Sequence, residues 1–84
     1  MASKVILYST AEEDFARLPR PMCARVAGAL RDLTGFPVIR TGIKKLKPPF
    51  KGYRKRVGDY RILFDYERDT IFVHRIKNRK DAYQ

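Results

Sequence analysis

Hydrophobic and polar positions alternate through the first part of residues 53–83, in the pattern of β-strands with one buried face, and a basic tail follows from Lys77. Two alternating runs flank the dipeptide Gly58-Asp59. This arrangement predicts a hairpin with a two-residue type II′ turn, because glycine accepts the positive φ of the first central position. The turn determines the register of five residue pairs, among them Arg56 opposite Arg61.

The predicted register separates two faces, because directly opposite residues of an antiparallel pair share a face. The face toward the core carries Tyr53, Val57, Tyr60, Ile62 and Phe64. The other face, called here the arginine face, gathers Arg54, Arg56 and Arg61 around Leu63. Like charges placed opposite each other weaken a sheet, and guanidinium groups suit phosphate, so this face predicts an anion site. The alternative is a solvated face whose arginine stems cover apolar neighbours.

A third strand is predicted after a turn at residues 67–70, with Tyr66 paired to Ile71. Continued alternation assigns Ile71, Val73 and Arg75 to the core face and Phe72, His74 and Ile76 to the arginine face. In this register His74 faces Leu63, and Ile76 faces Arg61. Arg75 would have to reach the edge of the sheet. His74 is the only histidine. It is a candidate auxiliary residue, although a single histidine on a sheet is more often structural.

The N-terminal half predicts a short strand followed by two helices. Residues 4–9 are rich in β-branched and aromatic side chains, which favours a strand. Thr10 and Glu13 have the spacing of a capping box, so the first helix begins there and ends before Pro19. A second helix begins near Pro21. Its apolar stripe consists of Met22, Val26, Leu30 and Leu33.

The order β-α-α-β-β-β predicts an α+β fold for a single domain of residues 1–84. A two-helix hairpin packs on a mostly antiparallel four-stranded sheet. Residues 38–52 are predicted to form an irregular basic link, interrupted by glycine and proline and anchored by Leu46 and Phe50. The hydrophobic fraction of 44% indicates a folded chain with one modest core.

The net charge of +10 is concentrated in the C-terminal part of the chain. Residues 1–39 carry a net charge of +1, and residues 40–84 carry +9. This asymmetry predicts a polyanionic partner. Nucleic acid is favoured over an anionic membrane, because the charge falls on predicted strands and loops rather than on a basic amphipathic helix.

Other features narrow the class of protein. No apolar run approaches the ~20 residues of a membrane helix, and no signal peptide is indicated. Cys23 is the only cysteine, which excludes an intrachain disulfide and favours a cytoplasmic location; its side chain is expected in the core. Motifs for nucleophilic, metal or phosphate-loop chemistry do not occur, so neither metal nor cofactor is expected.

Further basic residues are candidates for contacts with nucleic acid or the ribosome, although a solvated charge run is the alternative for the lysines of the link. They are Lys44, Lys45, Lys47, Lys51, Lys55, Lys77 and Lys80. Arg79 leaves the third strand near Arg61 and can reach the same anion. Tyr83 offers a ring for base stacking. The alternative for this tail is a frayed terminus.

The segments GYRKRVGDYRILF and FVHRIKNRKDAY resemble the C-terminal half of the RelE-family toxins of bacterial and archaeal toxin–antitoxin modules. Chain length, basicity and element order agree with that family. The resemblance covers most of the chain, and its specific part is residues 46–83. It implies a small microbial-RNase-like α+β fold, cleavage of messenger RNA in the ribosomal A site, and silencing by an antitoxin.

The resemblance also implies the roles of particular residues. The family's functional positions fall on Arg54, Arg56, Arg61, Arg79 and Tyr83. The implied mechanism needs no metal: a ribose 2′-OH attacks the adjacent phosphate and leaves a 2′,3′-cyclic phosphate and a 5′-hydroxyl. Relatives carry a lysine where this chain has Arg56, and a guanidinium is nearly always protonated, which leaves the general base open. Either electrostatics and positioning carry most of the rate, or Tyr83, His74 or the ribosome assists.

The implied partners are a RelB-like antitoxin, messenger RNA and the ribosome with its 16S rRNA. The toxin alone is expected to be monomeric and to form an oligomer with its antitoxin. Two alternatives remain: a ParE-like toxin that inhibits DNA gyrase without cleaving RNA, and a non-catalytic basic RNA-binding module. Arg79 and Tyr83 favour the nuclease, because a gyrase inhibitor would not require this pair.

Overall fold

Five strands and two helices follow one another in a computed structural model that describes residues 4–80. They are β1 (Lys4–Leu7), α1 (Ser9–Ala16), α2 (Arg20–Asp32), β2 (Ile43–Lys45), β3 (Tyr53–Val57), β4 (Tyr60–Glu67) and β5 (Thr70–Asn78), with a 3-10 turn at Leu33–Gly35. The sheet order is β1-β5-β4-β3-β2, with β1 parallel to β5 and the other pairs antiparallel. The α+β class is confirmed.

The predicted strand count was wrong by one, because β2 lies within the stretch expected to be an irregular link. β2 pairs antiparallel with β3 and places Lys44 opposite Arg54. Its three residues include two lysines, so no alternation of apolar and polar residues reveals it. Of the two residues predicted to anchor the link, Leu46 is half-buried, whereas Phe50 is 47% exposed.

The β3–β4 hairpin forms as predicted, with all five residue pairs in the expected register. Gly58 has a φ of +58°, whereas Asp59 keeps a negative φ, and these are the signs of a type II′ turn. The following turn also lies where expected, with Tyr66 opposite Ile71. The pairing that creates the arginine face is therefore confirmed.

A β-bulge in β5 changes the predicted register of the third strand. Val73 faces Phe64 as expected, but beyond it Arg75 rather than His74 faces Leu63, so His74 is the extra residue of the bulge. Three assignments are corrected by this shift. Ile76 lies in the core at 3% exposure, Arg75 is paired with arginine-face Leu63 rather than placed in the core, and Lys77 instead of Ile76 faces Arg61.

Helix α1 holds this bulge in place from the edge of the sheet. β1 ends at Leu7, so the edge of β5 beyond it is free to bond α1. The Asp14 carboxylate accepts hydrogen bonds from Arg75 Nε at 2.8 Å, Arg75 Nη2 at 3.0 Å and the Ile76 backbone N–H at 2.9 Å. The Thr10 hydroxyl donates to the His74 carbonyl at 2.9 Å.

The capping box predicted for the first helix does not form. Helix α1 begins at Ser9, and Tyr8 occupies the N-cap position without a side-chain hydrogen bond to the helix. The Thr10 hydroxyl is bonded to β5 instead. The hydroxyl thus donates to a distant carbonyl instead of accepting from the backbone of its own helix, which is the usual limit of capping arguments drawn from sequence.

Both helices and one face of the sheet enclose the hydrophobic core. Its buried members are Ala11, Leu18, Val26, Ala29, Leu33, Phe36, Val57, Ile62, Phe64, Ile71, Val73 and Ile76. Phe36, at 1% exposure, sets its ring against those of Tyr53, Phe64 and Tyr66 at centroid distances of 4.9–5.5 Å. Neither helix of residues 4–80 is long and apolar enough to cross a membrane. Within residues 4–80, neither helix packs on the arginine face.

The turn between β4 and β5 contains backbone strain that a substitution can reduce. Arg68 and Asp69 have φ values of +49° and +64°, which non-glycine residues adopt at a cost on the order of 1 kcal/mol each. Asparagine tolerates this region better. We expect Arg68→Asn to raise the free energy of unfolding by about 0.5–1 kcal/mol, measured by urea denaturation. Arg68→Ala, which removes the charge but keeps the strain, is the control; an equal gain there would contradict this explanation.

The Asp14 contact makes folding sensitive to acid. Burial raises the pKa of Asp14, but the hydrogen bonds from Arg75 and Ile76 outweigh burial and hold this pKa below its ordinary value. The stabilisation is therefore complete above the pKa of the unfolded carboxyl and is lost below about pH 4.

We expect Asp14→Asn to lower the free energy of unfolding at pH 7 by about 1–3 kcal/mol. The difference from wild type shrinks as the pH falls toward 2, because protonation removes the same charge from the wild-type protein. Urea denaturation from pH 2 to 7 measures both effects. Asp32→Asn, at an exposed acid of α2, is the control. A pH-independent loss in Asp14→Asn would contradict the linkage.

Candidate nucleic-acid interface

The arginine face carries two adjacent cross-strand rows of basic side chains. The first row consists of Arg56 on β3, Arg61 on β4 and Lys77 on β5. The second row consists of Lys44, Arg54, Leu63 and Arg75. Directly opposite Cβ atoms lie about 4.5–5.5 Å apart, so each row brings cations close together. Neither row contains a carboxylate, although the guanidinium of Arg75 is paired with Asp14.

Arg61 contains a buried hydrogen-bond donor that has no partner among residues 4–80. Its side chain is half-buried, and its Nε atom is buried without a hydrogen-bond acceptor among residues 4–80. Its Nη1 atom makes one long bond, 3.4 Å to the Tyr60 carbonyl. A buried donor without a partner costs about 1–3 kcal/mol, so the fold carries a local cost at this arginine.

Two adjoining clefts extend the basic surface across β2 and β3, and both include Lys44 and Arg54 in their walls. One cleft of about 420 Å³ is lined by Lys44, Lys45, Leu46, Lys47, Pro48, Phe50 and Arg54. The other, of about 360 Å³, is lined by Arg40, Gly42, Ile43, Lys44, Arg54 and Arg56. The exposed Phe50 ring gives this otherwise basic groove an aromatic wall.

The remaining basic candidates lie at different distances from the rows. Lys55 is on the core side of β3, where its Nζ donates to the Thr41 carbonyl at 3.1 Å, so it is not brought to the arginine face. Lys51 is exposed in the loop before β3. Lys80 is exposed, and its backbone N–H donates to Asn78 Oδ1 at 3.1 Å.

Arg79 is held beside the hairpin turn. Its backbone N–H donates to the Asp59 carbonyl at 2.6 Å, and its side chain is exposed. Because Lys77 faces Arg61, Arg79 lies two residues along the chain beyond the row that contains Arg61. Tyr83 lies outside the described residues.

His74 is paired with a residue that the sequence analysis did not select. Its Nε2 atom lies 2.6 Å from Asp65 Oδ2, and the two side chains are 39% and 46% exposed. The Tyr8 ring meets the imidazole edge to face at a centroid distance of 4.7 Å. Asp65 could have been found from sequence, because it lies two residues beyond Leu63 on β4 and alternation places both on the arginine face.

These features define a small basic α+β domain with a basic face on its open sheet. The chain also matches a known protein family. The ParE toxin family of type II toxin–antitoxin systems (parDE) matches residues 5–83, and the chain belongs to this family. Its identification as a toxin of the RelE/ParE superfamily is thereby confirmed.

Individual relatives agree with this assignment. The chain is 30% identical over 83 residues to Toxin RelE3 of Methanocaldococcus jannaschii, covering 95% of this chain and 94% of the relative. Its fold is similar to that in the toxin–antitoxin complex RelBE2 from Mycobacterium tuberculosis, with a TM-score of 0.80, 26% identity and coverage of 93% and 99%. The RelB–RelE complex from Methanococcus jannaschii gives 0.77, 27% identity and coverage of 94% and 95%.

The like charges of Arg56 and Arg61 should lower the stability of the folded protein. Arg56 is exposed and directly opposite Arg61, so we expect Arg56→Gln to raise the free energy of unfolding by about 0.2–1 kcal/mol at low salt. The gain shrinks at 1 M salt, where charges are screened within about 3 Å. Thermal unfolding at two salt concentrations measures both effects. Lys51→Gln, outside the rows, is the control, and a destabilised Arg56→Gln would contradict repulsion.

Proposed function

We propose that this toxin is a ribosome-dependent endoribonuclease that cleaves messenger RNA in the A site, blocks translation and acts in the cytoplasm. The observation that carries the proposal is the half-buried Arg61, whose Nε lacks an acceptor within residues 4–80 and which lies between Arg56 and Lys77. A phosphate is the anion that such a row fits best, because guanidinium groups bind its oxygens in pairs. The relatives named RelE support the same activity.

The positions of the rows support the mechanism that the family resemblance implies. Arg61 and Arg54 flank Leu63 and would stabilise the charge that builds on the phosphoryl oxygens as the ribose 2′-OH attacks. Arg56 adds positive charge and cannot serve as the base, because its guanidinium stays protonated. Arg79, beside the turn, would support the leaving 5′-oxygen, and Tyr83 would stack on a base.

The peripheral lysines would hold the message and the ribosome through phosphate contacts. Lys44, Lys45 and Lys47 line the cleft beside Arg54, and Lys77 extends the row of Arg61. Lys51 and Lys80 are exposed and lie close in sequence to Arg54 and Lys77, respectively. Such contacts supply affinity without base specificity and make binding to the message and to 16S rRNA dependent on salt.

A RelB-like antitoxin would silence the toxin by covering the basic surface. Structures of similar toxins are complexes with RelB antitoxins. The net charge of +10 favours an acidic partner segment. We propose a monomeric toxin when free and a larger assembly when the antitoxin is bound.

Inhibition of DNA gyrase is the second candidate function, because the matching family is named after ParE toxins. The folds of the two branches are alike, and a fold does not decide function. A gyrase inhibitor would signal DNA damage and leave messages intact. A non-catalytic RNA-binding module would bind messages and leave them intact without DNA damage.

Induction of the chain in growing cells, with mapping of message 5′ ends, tests the proposal. We expect new 5′ ends at codon positions of translated messages. Arg61→Gln should reduce cleavage at least about 100-fold, as loss of one transition-state donor does. Arg31→Gln, at an exposed arginine of α2, is the matched control and should cleave normally. Growth arrest with intact messages would overturn the proposal, and a DNA-damage response in that case would support the gyrase alternative.

A further inference from the structure

We infer that His74 is the general base of the proposed nuclease and that Asp65 is its positioning residue. This inference rests on the proposed function and supplies the proton acceptor that the basic rows lack. Both side chains lie on the arginine face, on the neighbouring strands β4 and β5, with 2.6 Å between His74 Nε2 and Asp65 Oδ2.

The pair is fixed by several elements of the fold. His74 is the extra residue of the β5 bulge, and its carbonyl accepts the Thr10 hydroxyl of α1 at 2.9 Å. Asp65 is packed against the backbone of Gly52, where an added Cβ would lie 2.5 Å from its Oδ1. Bulges often redirect side chains at functional sites, and catalytic groups need such support to stay in position.

Stability alone does not account for this pair. The side chains are 39% and 46% exposed, and ion pairs or charged hydrogen bonds at such positions contribute about 0–1 kcal/mol. The bulge is already held by the Asp14 carboxylate through three hydrogen bonds. An oriented imidazole on an otherwise cationic face therefore points to chemistry.

The hydrogen bond determines which nitrogen can accept a proton. An ionised carboxylate only accepts hydrogen bonds, so Asp65 selects the tautomer of His74 that carries its proton on Nε2. The Nδ1 lone pair is then left for a substrate proton. After that proton is taken, the Asp65 carboxylate stabilises the imidazolium.

Among residues 4–80, few ionisable groups lie next to the imidazole of His74. Asp65 faces it from β4, Tyr8 meets its ring from the segment before α1, and Arg75 follows it on β5. The guanidinium of Arg75 is engaged by Asp14, which keeps that charge at the edge of the sheet. Asp65 is thus the charged group directly bonded to the imidazole.

The position of the pair suits a phosphate bound above Leu63. Arg54 is directly opposite Leu63, and Asp65 is the diagonal neighbour of Arg54, at about 7–8 Å. Arg61 lies two residues from Leu63 in the other direction along β4, about 7 Å away. A phosphate over Leu63 would thus have guanidinium groups on two sides and the imidazole on a third.

The step is a transesterification and balances without a co-reactant. Nδ1 of His74 takes the proton of the 2′-OH while the O2′–P bond forms and the P–O5′ bond breaks. The 5′-oxygen leaves with the electron pair of that bond and takes a proton from water. The imidazolium returns its proton to solvent, and the products are a 2′,3′-cyclic phosphate and a 5′-hydroxyl.

Purified toxin on ribosomes programmed with a defined message tests the pair by single-turnover cleavage. We expect His74→Ala to lose 100-fold or more in rate and free imidazole to restore part of it. Imidazole groups change charge between pH 5 and 8, so the wild-type rate should fall toward acid pH, and His74→Gln should lack this fall. Asp65→Asn should lose less than His74→Ala.

Asp14→Asn is the matched control, because it loosens the same bulge without touching the imidazole. It should lower thermal stability but keep the wild-type pH profile and gain nothing from imidazole. Unchanged rates in both His74 variants, or losses that imidazole does not restore and that leave the pH profile unchanged, would overturn the inference while leaving the proposed function intact. A wild-type protein that cleaves no message would overturn both.

Discussion

The carboxylate of Asp14 is the contact on which the arrangement of the sheet depends. It accepts two bonds from the Arg75 guanidinium and one from the Ile76 backbone, and so holds a bulge at the edge of β5. The bulge turns Ile76 into the core and places Lys77 opposite Arg61. Without the extra residue, continued alternation would bring Ile76 opposite Arg61. The composition of the first basic row therefore depends on one residue of α1.

The like charges on the arginine face lower stability, and the rest of the fold compensates for this loss. Arg56 and Lys77 both face Arg61, whose Nε has no acceptor among residues 4–80. The opposite face of the same strands compensates, because Ile62 and Phe64 are almost fully buried and pack against both helices. The well-packed core on one face of the sheet offsets the charge repulsion on the other face, and a bound anion would reduce that repulsion. This division explains why the basic residues are concentrated on one face.

The parts of the fold that sequence predicts are those governed by local chemistry. The hairpin register was predicted correctly because the Gly58-Asp59 turn determines it within a few residues. The bulge was missed because its partner, Asp14, is about sixty positions away in sequence, and Thr10 was misassigned for the same reason. The strand β2 was missed because it has three residues, two of them lysines. At the site, convergence of the arginines followed from the register, whereas Asp65 was overlooked, although alternation places it on the same face.

The same bulge links the stability of the fold to the chemistry proposed for it. A regular β5 would place His74 directly opposite Leu63, in the row of Arg54, whereas the bulge gives that place to Arg75 and leaves His74 beside Asp65. Asp14 binds the guanidinium of Arg75, and Asp65 binds the imidazole of His74. Each carboxylate therefore pairs with one of two successive side chains of β5. The guanidinium is thereby drawn to the sheet edge, and the imidazole stays on the face where phosphate would bind. Toxins of this superfamily that share the fold but lack such a pair would have to obtain a proton acceptor elsewhere, which is how one scaffold can serve different targets.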